Sequence, residues 1–306
     1  MRRLAMIGLC IAAMVAVGGV SAATAAAEAP EFGRCIKKAK AEGSGYSSAN
    51  CTSFLGSGAK FEWQPGPGPN PRFTSAARFV PTPTYKHCLA WQREKEAGNE
   101  KGAMETLERY GLTAEGCEKT LKEEEGKEPA VLETVSGLRI ECGGASSVGE
   151  YTGVKSVGNV VTTFTECEFN EIFTCQSPGA KAGEIVSASL QGVLGVIKTE
   201  GLPANNKIGL DLQATIGETI SEIECGSFFK VTVTGSVIHQ ISVNKMVLEE
   251  NEKFIQKKGS QKPEKFEGLP ADVLESTSAG GSPVQAGLGL LTRLTNDEKI
   301  EVSSIL

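Results

Sequence analysis

A chain of 306 residues that is 40% hydrophobic and 22% charged is long enough for one or two domains with a sizeable core, and too apolar to be disordered. Thirty-six glycines and 13 prolines beside only 6% aromatic residues imply short elements and many turns. A formal net charge of −6 excludes a broad basic footprint for nucleic acid, and the lack of a second long apolar run excludes a polytopic membrane protein.

The chain opens with Met1-Arg2-Arg3, an apolar run from Leu4 to Val20, and small residues with Ala-x-Ala sites ending at Ala25 or Ala27. Basic, apolar and small in that order read as a secretory signal peptide over residues 1–27. An uncleaved anchor is the alternative, but the apolar run is marginal for a span, and no transmembrane span remains once the signal is removed. Twin-arginine export lacks support around Arg2-Arg3. Cys10 lies too early for a lipid-attachment site and leaves with the signal. Cleavage after Ala27 leaves 29 basic against 37 acidic residues, a net charge of −8. Secretion or residence in the cell envelope follows.

Residues 28–84 form an N-terminal disulfide unit and a link. Phe32, Cys35, Ile36 and Ala39 fall at helical spacing and predict a short amphipathic helix before Gly43, with Lys37, Lys38 and Lys40 on its solvated side. Residues 65–72 alternate proline with glycine or asparagine, and must be extended. Residues 85–128 read as a small helical insertion. Three charged, helix-favouring segments, Tyr85–Ala97, Ala103–Tyr110 and Thr113–Glu125, are separated by Gly98-Asn99 and Gly111. Leu89, Trp91, Leu107, Tyr110, Leu112 and Leu121 can supply their shared core, and Lys122-Glu123-Glu124-Glu125 reads as a solvated helix end.

Residues 129–306 read as an antiparallel β domain. Ile208, Leu210 and Leu212 alternate with polar residues or glycine, as do Phe229, Val231, Val233 and Val237, with Gly235 inside the same register. Val186, Ala188, Leu190, Leu194 and Val196 share one face of what reads as the longest strand, where Gly192 and Gly195 predict a bulge or bend. The tetrapeptide Ile140–Gly143 recurs as Ile223–Gly226, which predicts two similar strands joined by a disulfide. Glu249–Glu267 and the Gly/Ser/Pro stretch Ser276–Pro283 read as a mobile loop. Two closing strands follow, around Leu288–Leu291 and Lys299–Val302. The expected fold is mainly β, an antiparallel β-barrel or coiled β-sandwich, disulfide-stapled, with a small α-helical insertion.

Eight cysteines remain after signal removal: Cys35, Cys51, Cys88, Cys117, Cys142, Cys167, Cys175 and Cys225. An even number in an exported chain reads as four disulfides. Zinc is disfavoured because no CxxC pair exists and the only histidines are His87 and His239. Locality gives Cys35–Cys51, Cys88–Cys117 and Cys167–Cys175, with Cys142–Cys225 as the long-range staple.

Several motifs occur together: Pro30–Cys35, Tyr46–Thr52, Lys60–Trp63, Leu132-Glu133-Thr134 leading into Ile140–Cys142, Cys175–Ala180, Gly183-Glu184-Ile185 and Leu190–Gly195. As a set across residues 30–247 the chain resembles a family of uncharacterised exported, cysteine-containing, β-rich proteins, chiefly actinobacterial. Relative to shorter relatives the 85–128 section looks like an insertion. The resemblance implies export and a β fold, and carries no activity and no catalytic residues.

Catalytic chemistry finds little footing. His87 adjoins Cys88 in a predicted helix, His239 sits in a predicted strand, and no Gly-x-Ser-x-Gly elbow is present. Disulfide formation removes thiol nucleophiles. Glu166, Glu168 and Glu171 cluster between Cys167 and Cys175. Alternation puts Glu166 and Glu168 together on the face opposite Cys167, most simply in solvent. No phosphate loop, Rossmann fingerprint or EF-hand pattern occurs. Phe61 and Trp63 alternate around Glu62 and could stack on a sugar, although packing beneath the Pro-rich link is the simpler reading. The sequence therefore predicts no cofactor, no metal and no catalytic residue. It favours an exported, non-enzymatic envelope or extracellular protein that binds a small ligand or a protein partner, the partner being an unknown small molecule or a cell-envelope component, without nucleic acid. A secreted, carboxylate-based glycoside-type hydrolase and a purely structural surface protein are the alternatives.

Overall fold

The computed structural model describes residues 30–79, 82–123, 129–170, 172–227 and 229–305. The signal peptide read over 1–27 lies outside them. The N-terminal unit is built from β1 (Glu31–Lys37), β2 (Gly45–Tyr46), β3 (Phe54–Leu55), β4 (Phe61–Pro65) and β5 (Arg72–Ala77). The helix expected over Phe32–Ala39 is instead strand β1. Both faces of β1 are covered, Phe32 on one and Cys35 on the other, so the period of two is hidden in an apolar run that mimics helical spacing. Cys35 bonds to Cys51, as expected.

The insertion follows the sequence closely as α1 (Pro83–Glu96), α2 (Glu100–Tyr110) and α3 (Ala114–Glu123). Local chemistry sets these limits. The Thr82 hydroxyl accepts the Tyr85 N–H at 3.2 Å, and the Asn99 side-chain Oδ1 accepts the Gly102 N–H at 3.1 Å. Gly111, at φ 64°, closes α2 in the left-handed conformation. Cys88, Trp91, Ala103, Leu107 and Cys117 form a separate small core joined by Leu112 and Leu121, and Cys88–Cys117 ties α1 to α3. Tyr110 contributes by stacking on His87 at 3.5 Å rather than by burial.

The rest is sheet: β6 (Ala130–Thr134), β7 (Arg139–Tyr151), β8 (Ser156–Phe169), β9 (Phe173–Gln176), β10 (Ile185–Val186), β11 (Leu190–Lys198) and β12 (Lys207–Ala214). It continues with β13 (Thr219–Cys225), β14 (Phe229–Thr234), β15 (Ser236–Ile241), β16 (Val247–Lys257), β17 (Ser260–Lys262), β18 (Lys265–Phe266), β19 (Leu269–Pro270), β20 (Leu274–Ser278) and β21 (Val284–Ser303). All pairings are antiparallel, and they run in two circuits that share the long strands β7, β8 and β21. One passes β7–β8–β11–β12–β15–β16–β21–β5 and returns to β7. The other passes β7–β8–β9–β13–β14–β20–β21–β6 and returns. The result is a mainly β, coiled, sandwich-like fold around one large apolar core.

Four expectations change. The strand read across Val186–Val196 is two strands, β10 and β11, with Ser187–Ser189 in neither. The strand read across Phe229–Val237 is two strands that turn at Gly235. Its φ of +90° and the closeness of the Val273 carbonyl, 2.0 Å from where a Cβ would sit, leave room only for glycine. That corner carries the chain from the second circuit, through β14, to the first, through β15. The two closing strands are one 20-residue strand, β21, which borders β20 and β6, then β16 and β5, then β1. The expected mobile loop Glu249–Glu267 holds most of β16 and all of β17 and β18. The bend foreseen near Gly192 is present, as a register shift of β11 against β8 between Leu190 and Gly192.

The long-range disulfides also differ. Cys142 bonds to Cys167 and Cys175 to Cys225; Cys167–Cys175 and Cys142–Cys225 do not form. Each observed bond joins residues directly opposite on neighbouring strands, β7 with β8 and β9 with β13. The β8–β9 ladder stops at Glu168↔Thr174, one step before Cys167 would face Cys175. Glu166 is in the left-handed region at φ 53°, and the Cys167 N–H donates to the Gly183 carbonyl at 2.9 Å. The repeated Ile-Glu-Cys-Gly therefore marks two strands stapled to their own neighbours rather than to each other.

Candidate functional site

Strand β16 carries the polar residues that a loop reading had claimed. Glu250, Glu252 and Phe254 alternate on its inner side and line an interior cavity, while Ile255 is exposed on its outer side. Across the ladder they face Leu294, Thr292 and Leu290 of β21. His239 of β15 and Tyr151 of β7 complete the polar end. The cavity measures about 120 Å³. Its other walls are mostly apolar, with Ile223, Val233 and Leu274 of the second circuit, Leu210, Leu212 and Val237 of the first and the rings of Phe32, Phe73 and Phe164, interspersed with serine and threonine hydroxyls.

The polar end holds two sets of contacts. The Thr292 hydroxyl donates to Glu252 Oε2 at 2.7 Å, and His239 Nε2 lies 3.4 Å from Glu252 Oε1. Phe254 meets the His239 ring edge-on at 4.8 Å. The Tyr151 hydroxyl donates to Asn296 Oδ1 at 2.8 Å, with its ring held between Phe32 and Phe73. Two polar atoms are buried without a partner, His239 Nδ1 and Asn296 Nδ2.

Burial dominates the electrostatics here. It raises the Glu250 carboxyl to about 7, reinforced by Glu252 and opposed by a hydrogen bond from the Ser242 backbone. It lowers the His239 imidazole despite Glu252, so the ring is neutral near pH 7. It raises the Tyr151 hydroxyl well above its ordinary value, with Glu250 and Glu252 adding to the effect. Among the described residues no lysine or arginine lines the cavity. What the arrangement offers is an apolar chamber whose polar end consists mainly of hydrogen-bond acceptors.

The residues weighed from sequence fall elsewhere, His239 excepted. Glu166 and Glu168 do not share a solvent face, because the left-handed turn at Glu166 breaks the alternation. Glu166 is exposed and lies 3.6 Å from Lys86, whereas Glu168 sits in a recess of about 30 Å³ with Lys86, Arg93, Arg139, Glu141 and Asn170. Glu171 lies outside the described residues. That recess is the seam of the helical insertion: Arg93 of α1 pairs with Glu141, and Arg139 bridges Glu141 at 2.5 Å and Glu133 at 3.3 Å. Phe61 and Trp63 are half-buried. The Trp63 ring packs on Gly33, and its N–H donates to Glu31 at 2.5 Å. His87 belongs to the helical insertion, stacked on Tyr110. All eight cysteines are held in disulfides.

Sequence reasoning missed Glu250, Glu252, Tyr151, Thr292 and Asn296. The one available signal was Phe254 in phase with Glu250 and Glu252, which marks their shared side as the inner one. No family model, curated protein or solved structure matches the chain.

Proposed function

We propose that this is an exported, non-enzymatic protein that holds a small, largely apolar ligand in the cavity between its two strand circuits. The observation that carries the reading is the cavity itself, apolar over most of its wall and polar at one end, as ligand sites are built. Its volume compares with the roughly 150 Å³ of an engineered cavity that binds benzene, so the ligand is compact. Four disulfides suit an oxidising, extracytoplasmic compartment. No described helix is long and apolar enough to cross a membrane. A signal peptide over 1–27, release or retention in the cell envelope, and kinship with the exported actinobacterial proteins belong to the same reading.

One observation favours the hydrolase alternative: two neighbouring carboxyls, one raised to about 7. Glycosidic cleavage needs carboxyls flanking the bond from two sides. Glu250 and Glu252 instead project side by side from one strand into a chamber too small for two sugar rings. A purely structural protein would have a filled interior.

The test is saturable uptake of toluene or 1-hexanol, followed by melting temperature and by NMR shifts of the lining residues. We expect binding that raises the melting temperature by about 2 °C at a tenfold excess over Kd. It should be abolished by Val233→Phe, which fills the aliphatic end. No saturable response to either probe would overturn the reading.

A further inference from the structure

Within the ligand-binding reading, on which this inference rests, we infer that the cavity selects a small aliphatic or aryl-alkyl primary amine, bound with its ammonium against Glu250, Glu252 and His239. Three observations point the same way. The polar end presents two carboxyl groups projecting from alternate positions of β16, and no lysine or arginine among the lining residues balances them. His239 is 3% exposed and lines the cavity, and its Nδ1 has no partner. With Nε2 turned toward Glu252, Nδ1 of the neutral ring is a free acceptor. Most of the other lining hydroxyls are already engaged: Thr292 donates to Glu252, Tyr151 to Asn296, Ser221 to the Val186 carbonyl and Ser187 to the Ala188 carbonyl, while Ser147 pairs with Thr162; Ser75 also lines the cavity.

A site made of acceptors wants a ligand that donates. An ammonium brings three donors and one positive charge, matching two carboxyl groups and an imidazole nitrogen. A hydroxyl brings a single donor and leaves buried acceptors unmet. A carboxylate brings none, and would set like charges together in a low-dielectric chamber. The aliphatic remainder, about six to eight heavy atoms, follows from the cavity size.

The experiment compares 1-hexylamine, 1-hexanol and hexanoate, matched in chain length, by calorimetric titration of the mature protein and of E250Q and E252Q at pH 8. We expect the amine to bind at least tenfold more tightly than the alcohol, hexanoate to bind weakest, and the amine-to-alcohol ratio to fall toward one in E250Q. E252Q gives a second reading of the same ratio should E250Q fail to fold. A ratio near one in the unmodified protein, or a preference that survives in both variants, overturns the inference while leaving the ligand-binding reading intact. Failure of all three probes and of toluene to bind overturns that reading, and this inference with it.

Discussion

Raising the pH from about 4.5 to about 7 destabilises the folded protein, and Glu250→Gln removes much of that loss. Glu250 ionises at an ordinary 4.5 in the unfolded chain and at about 7 in the fold, because burial next to Glu252 disfavours the charged form. Below 4.5 both states are protonated and the group is neutral in its effect on stability. Between 4.5 and 7 the unfolded chain releases its proton while the fold retains it, so stability falls as pH rises. Above 7 the loss is complete, about 3 kcal/mol for a carboxyl displaced this far. Glu301, buried on β21 opposite Gly33 with both oxygens unpartnered, is likewise raised from 4.5 to about 7 by burial and acts in the same sense. Urea unfolding at pH 4.5 and pH 8 should give a steep decline for the native protein and a nearly flat profile for E250Q/E301Q. At pH 8 the E250Q variant should be the more stable by about 2–3 kcal/mol. An unchanged decline in the double variant would show that neither carboxyl is buried as described.

The second large effect belongs to the Cys175–Cys225 disulfide. It spans 50 residues, closes the β9–β13 step of the second circuit, and encloses β10, β11 and β12 in its loop. Releasing a loop of that length restores about 4 kcal/mol of conformational freedom to the unfolded chain. C175A/C225A should lose about that much stability in guanidinium titration. Peptide mapping of the native protein should recover Cys142–Cys167 and Cys175–Cys225. A loss below about 1 kcal/mol, or recovery of a Cys167–Cys175 peptide, would contradict the strand order around β9.

What could be read from sequence was what local chemistry determines. Thr82, Asn99 and Gly111 punctuate the helical insertion within the chain itself, so its three helices were visible. Ile208, Leu210 and Leu212 alternate with Lys207, Gly209, Asp211 and Gln213, none of them a large apolar residue, so their strand was visible too. Strand β1 was not, because Phe32 and Cys35 bury opposite faces. Gly235 sits in phase with the alternation on both sides, and only its backbone angle and the Val273 carbonyl reveal a corner. The cysteines of β7, β8, β9 and β13 fall in one row across the sheet, so their partition depends on where the β8–β9 ladder stops. The candidate site was the least legible part. Glu250 and Glu252 invert the usual rule of apolar inside and polar outside, and Tyr151, His239 and Thr292 come from three further strands that only the circuit brings together.

The most direct test of a ligand-holding interior is a crystal structure of the protein under xenon pressure. The account predicts a xenon site among Leu212, Val233, Val237 and Leu274, away from Glu250 and Glu252, in an apolar space large enough for a compact ligand. An interior closed by side chains, with no xenon bound between the two circuits, would contradict it.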